Sequence, residues 1–85
     1  MTWTYPPEFL EALAGHGLSP RSDTPPFLLR GALNDLYRYE IRRLRNRLLA
    51  GEFDKPAYLE LVIELRRKYW LLTLQMPAWE QICRA

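Results

Sequence analysis

Residues 24–51, TPPFLLRGALNDLYRYEIRRLRNRLLAG, decide the fold. They read as one long helix. Thr24 stands just before Pro25 and Pro26, where its hydroxyl can cap the first turn, and a proline at the first helical position gives up no needed N–H. Gly51 closes the run, since glycine most readily takes the left-handed conformation that ends many helices. The roughly 26 residues between span about 39 Å at 1.5 Å rise. Gly31 is the weak interior position, costing about 1 kcal/mol against alanine. It marks a place where a neighbouring element can approach closely.

Stepping these residues around a helix separates its faces. Leu29, Leu33, Leu36, Tyr37, Ile41, Leu44 and Leu48 gather on one broad apolar side. Leu28, Ala32 and Tyr39 form a narrower second stripe. Asn34, Arg38, Arg42 and Arg45 share a polar face. Glu40 falls inside the broad apolar side and therefore needs a partner.

The rest of the chain supplies the cover for that side. Pro6–Ala14 reads as a short helix with Glu8 and Glu11 at its positive end and an apolar face of Phe9, Leu10 and Leu13. So short a helix is unstable alone, and the long helix is its expected partner. Trp3 and Tyr5 ahead of it predict an arm that docks on the domain. Downstream, Glu52–Pro56 reads as a tight connection with Asp54 as N-cap, Pro56 in the first turn and Phe53 tucked beneath. Short connections make antiparallel neighbours. The next helix is predicted over about 55–73. Its stripe of Tyr58, Leu61, Val62, Leu65, Tyr69 and Leu72 should face the long helix, which leaves a second stripe of Leu59, Ile63, Trp70 and Leu74. The Met76–Pro77 step ends it, and a last short helix is expected over about 78–84.

Composition bounds the function classes. The 85 residues suffice for one domain, and a chain this size buries roughly 60% of its unfolded surface. Hydrophobic residues at 48% and charged residues at 26% favour a globular core over disorder. A net charge of +2 is too small to imply nucleic acid unless a local patch makes the case. Cys83 is the single cysteine, so no intramolecular disulfide can form, which fits a reducing compartment. The N-terminus has no basic segment followed by an apolar core, and no run approaches the ~20 apolar residues of a membrane span. A cytoplasmic location without a membrane partner is the expectation.

Few residues suggest chemistry. Arg42, Arg43, Arg45 and Arg47 crowd into one and a half turns, and Arg38, Arg42 and Arg45 align as a face that could track phosphates. An antiparallel pairing offers these cations carboxylates instead: Glu60 near Arg45 or Arg47, Glu64 near Arg42 or Arg43, and Arg66 or Arg67 near Glu40. Asp35 can reach Arg38 within the helix. Solvated and inter-helical ion pairing is the preferred reading of the arginines, because charged helix faces are ordinary, and Glu40 is read as paired with arginine at the core edge ahead of an acid or base role, because buried charges persist when paired. His16, between two glycines, reads as a surface or helix-end residue. No Cys/His cluster, nucleophile turn or glycine-rich phosphate loop is present in the sequence, so neither metal, cofactor nor catalysis is expected.

Over a few residues, Arg30-Gly31-Ala32-Leu33-Asn34-Asp35-Leu36 resembles the Arg-Gly-x-x-Glu-Leu-Asp signature of the small succinate dehydrogenase assembly factors, short helical proteins that assist flavin attachment. Asn34 stands where that signature has its acidic residue, and the family's downstream acidic-Trp segment is absent. No role passes from that family to any residue here.

The fold expected is all-α: a small helical bundle built on a long antiparallel helical hairpin, with short N- and C-terminal helices in a single domain. The function expected is a non-catalytic protein-interaction or assembly module forming a homo-oligomer, because the apolar stripes exceed what so short a chain can cover. Leu28, Tyr39, Leu59, Ile63, Trp70 and Leu74 are the expected partner or subunit interface. The alternative is a nucleic-acid-binding module using Arg38, Arg42 and Arg45.

Overall fold

The computed structural model describes residues 2–84. Four α-helices follow one another: α1 Pro7–Ala14, α2 Pro26–Leu49, α3 Lys55–Lys68 and α4 Met76–Cys83, with a 3₁₀ turn at Trp70–Thr73 before α4. No strand occurs among the described residues, so the chain is all-α. A single bridge joins Trp3 to Arg84.

Local signals explain most of the boundaries. Gly51 takes φ 78°. Its N–H donates to the Leu48 carbonyl at 3.0 Å, and the Glu52 N–H to that of Arg47 at 3.1 Å, which satisfies carbonyls left open at the end of α2. Asp54 caps α3 by accepting the Ala57 N–H at 3.0 Å. Phe53 stacks on Tyr58, and the Arg47 guanidinium lies 5.1 Å from the Phe53 ring centroid. Thr24 departs from expectation. Pro25 is the N-cap residue of α2, with no side-chain cap, and the Thr24 hydroxyl instead accepts the Arg21 N–H at 3.0 Å. Gly31 also differs: a methyl added there would meet nothing within 4 Å.

The third helix stops earlier than its apolar pattern predicts. α3 ends at Lys68, and residues 70–73 tighten into the 3₁₀ turn. Carbonyls at this end are taken by side chains from elsewhere: His16 Nε2 bonds that of Lys68 at 3.1 Å, and Trp79 Nε1 that of Leu71 at 3.0 Å. Arg30 donates to those of Leu72 and Leu74 at 3.1 and 2.9 Å. The Lys68 carbonyl is one of those left open at the end of α3, and the others lie just beyond it. The last helix begins at Met76 rather than near residue 78, because Pro77 suits a first turn and starts the helix.

The core sits at one end. Tyr5, Phe9, Leu13, Leu29, Leu33, Tyr69, Leu71, Trp79 and Cys83 are buried together, and Leu65 joins them. The short α1 was expected on the long helix. Its Phe9 and Leu13 share one core cluster with Leu29 and Leu33 of α2, and Phe9 also meets the C-terminal segment, edge-on to Trp70 at 6.0 Å and to Trp79 at 5.1 Å. The N-terminal arm does dock: the Trp3 N–H donates to the Ser22 carbonyl at 2.7 Å, the Thr4 N–H to that of Cys83 at 2.8 Å, and the Tyr5 hydroxyl to that of Thr24.

Beyond Leu33 no residue of α2 is buried, and before Leu65 none of α3 is. These two stretches pack on each other and form an arm two helices thick. Ile41, Leu44, Leu48, Tyr58, Leu61 and Val62 lie along its seam and remain half-buried.

Candidate functional site

The carboxylate on the apolar side finds its partner at the base of the arm. Glu40 keeps 31% of its side chain exposed; it accepts a hydrogen bond from the Tyr69 hydroxyl and pairs with Lys68 Nζ at 3.4 Å. Arg66 and Arg67 do not fill that role. At roughly 100° per residue they leave the side of α3 that Glu40 meets, whereas Lys68 stays on it. The Tyr69 ring packs against His16 at 4.2 Å and Tyr37 at 5.4 Å. Burial raises the Tyr69 phenol well above its ordinary range, and the hydrogen bond to Glu40 and that carboxylate's charge add to the rise. His16 thus stands at the end of α1, where its N–H donates to the Leu13 carbonyl at 3.0 Å, and its ring reaches across to the end of α3. The ring's bond to a carbonyl requires the proton on Nε2.

One side of the arm opens as a groove of about 310 Å³. Glu40, Arg43, Arg47, Glu64 and Lys68 supply its charge, and Leu44, Leu61 and Leu65 its apolar lining. Arg47 pairs with Glu52 at 3.3 Å, and the Arg43 guanidinium lies 5.9 Å from the Tyr39 ring centroid. The expected pairs of Glu60 and Glu64 with the arginines of α2 do not close to ion-pair distance, nor does Asp35 with Arg38. Among the described residues, Arg38, Arg42 and Arg45 make no ion pair.

The residues singled out for an interface separate into three groups. Leu28 and Tyr39 are more than half exposed on the groove side and back of α2. Leu59 and Ile63 are exposed to a similar degree on α3, at the spacing that sets them beside Arg66 and away from the groove. The two stripes therefore lie on opposite sides of the arm. Trp70 and Leu74 fall outside this arrangement, because α3 has ended before them. Trp70 is 40% exposed with its edge against Phe9. Leu74 is half-buried against the core, with its carbonyl held by Arg30. Neither continues the Leu59–Ile63 stripe.

Sequence reasoning missed Arg30 and His16 as ties across the chain, because nothing in the spacing of residues 44 or 52 positions apart announces them. Among the described residues, no three His, Cys, Asp or Glu gather closely enough to hold a metal ion. No described helix is long and apolar enough to cross a membrane. Compared with known protein families, curated proteins and solved structures, the chain matches none.

Proposed function

We propose that this chain is an assembly module that works through its two-helix arm, and that a second copy of the chain covers the groove side to make a helical bundle. The observation that supports it is the half-burial along the seam. A helix buries its apolar stripe against other elements, and an arm of two helices has no further layer to cover what its seam leaves in solvent. The groove carries both signs of charge beside Leu44 and Leu61. A two-fold contact brings each copy's carboxylates to the other's cations, as a self-complementary interface requires. Tyr39 and Leu36 extend the apolar surface on that side.

Sedimentation equilibrium tests this reading. The wild-type chain is expected to self-associate, and Tyr39→Glu combined with Leu36→Glu, both at exposed positions, is expected to leave a folded monomer by circular dichroism. A wild-type chain that stays monomeric at its highest soluble concentration ends the proposal.

The unpaired arginines favour a second reading, an acidic or polyanionic partner for Arg38, Arg42 and Arg45. Filter binding of mixed DNA and RNA at two salt concentrations tests the nucleic-acid form, which is lost if nothing binds at low salt.

A further inference from the structure

The side of the arm away from the groove has a different chemistry. Arg38 and Arg45 on α2 and Lys55 and Arg66 on α3 project there, as follows from their helical spacing and from Arg66 lining a hollow of about 230 Å³ with Tyr37, Tyr69 and Leu72. The carboxylates within α2 and α3, Asp35, Glu40, Glu60 and Glu64, fall on the groove side or the back. None of the four cations makes an ion pair among the described residues. Leu59 and Ile63, half exposed, stand along α3 between Lys55 and Arg66 and a step farther round it from the seam, while Ile41, Leu48 and Val62 lie recessed in the seam.

We infer that this side binds an acidic amphipathic helix of another protein. The inference rests on the arm being an interaction surface, but it uses the face opposite the one assigned to self-association. A helix packs with its axis about 8–10 Å from its neighbours, so its apolar side chains reach into a seam between two helices. Its carboxylates then meet Arg38 and Arg45 along one edge and Arg66 and Lys55 along the other. A second copy does not suit this face, since a two-fold contact sets arginine against arginine with no carboxylate between. Nucleic acid satisfies the cations but gives Leu59 and Ile63 nothing to bury against. A planar lipid surface reaches Leu59 and leaves the recessed Ile41, Leu48 and Val62 uncovered.

The test is an NMR titration of the ¹⁵N-labelled full chain with a synthetic amphipathic peptide of Leu, Ala and Glu. Parallel arms use the same peptide with Lys for Glu, a scrambled peptide of equal composition, a DNA duplex, and phosphatidylglycerol vesicles. Saturable binding of the acidic peptide is expected, with shifts at Arg38, Ile41, Arg45, Leu59, Val62 and Arg66. Arg38→Ala, Arg45→Ala and Arg66→Ala together should weaken it by about tenfold or more, as for removal of several interfacial charges. These side chains are exposed, and unchanged helicity of the variant by circular dichroism confirms that the fold survives. The proposal is overturned by no saturable binding, by equal binding of the scrambled or Lys peptide, by shifts confined to the groove at Glu40 and Leu44, or by tighter binding of DNA or vesicles. It is also overturned if the triple variant binds as well as wild type. A chain that sediments as a monomer yet binds the peptide loses only the homo-oligomer reading; one that self-associates and ignores the peptide loses only this one.

Discussion

Tyr69 is the residue through which the arm is fastened to the core. Its ring lies between His16 and Tyr37, and its hydroxyl meets Glu40. Removing the hydroxyl with Tyr69→Phe takes one donor from a carboxylate that keeps Lys68 and some water, so the expected loss is about 1–2 kcal/mol in urea unfolding. The phenols also carry a pH signature. Burial pushes Tyr5 up to about 12, with the charge of Cys83 adding to it, and raises Tyr69 further. An ordinary phenol titrates near 10. The folded state therefore holds these protons more tightly than the unfolded state. Their stabilisation is complete below about pH 10 and is lost as pH rises toward the folded values. Urea midpoints should fall steeply between roughly pH 10 and 12, and the fall should be shallower in Tyr5→Phe and Tyr69→Phe. A second prediction at this scale concerns Gly31. Its surroundings are open and its backbone is helical, so Gly31→Ala should raise stability by about 0.5–1 kcal/mol, read as a higher midpoint at unchanged slope.

At the scale of the element, helix boundaries find their partners near or far in the chain. Asp54 and Gly51 act on groups three residues away, and both were legible in the sequence. Asp54→Ala should cost about 1 kcal/mol, because the Ala57 N–H loses its acceptor at the start of α3, and thermal unfolding measures it. The end of α3 was not legible. Apolar positions continue past Lys68 at Tyr69, Trp70, Leu72 and Leu74, yet α3 ends there, and His16, Arg30 and Trp79 reach carbonyls at and beyond its end. A local pattern carries no trace of donors brought back by the fold. The same limit governs the candidate site. Helical phase placed Arg38, Arg42 and Arg45 on one face and Leu59 with Ile63 on another, and α2 and α3 are helical through all of these positions. Pairing was harder to read, since one residue of register turns a side chain by about 100°. That shift gave Glu40 to Lys68 and left Arg66 on the opposite side.

At the scale of the whole molecule, the extents of 49 × 20 × 15 Å and the position of the core describe a chain stabilised unevenly. The wholly buried Leu13, Leu33, Leu71, Trp79 and Cys83 lie at the base, while the arm offers only half-buried residues to hold its two helices together. Apolar burial contributes roughly 25 cal/mol per Å² removed from water, so side chains left half in solvent contribute a correspondingly smaller share. The arm should then open at a lower free energy than the base, as regions with few buried contacts do. Hydrogen exchange read by mass spectrometry tests this. Amides of Ile41–Leu48 and Tyr58–Glu64 are expected to exchange well before those of Leu33–Tyr37, although all belong to the same two helices. Self-association through the groove, or an acidic helix on the opposite side, should slow exchange in the arm and leave the base unchanged. Equal protection along the whole of α2 in the monomer would mean that the arm does not open independently. Its half-buried seam would then be stable as it stands, and the need for a covering helix would lose its energetic basis.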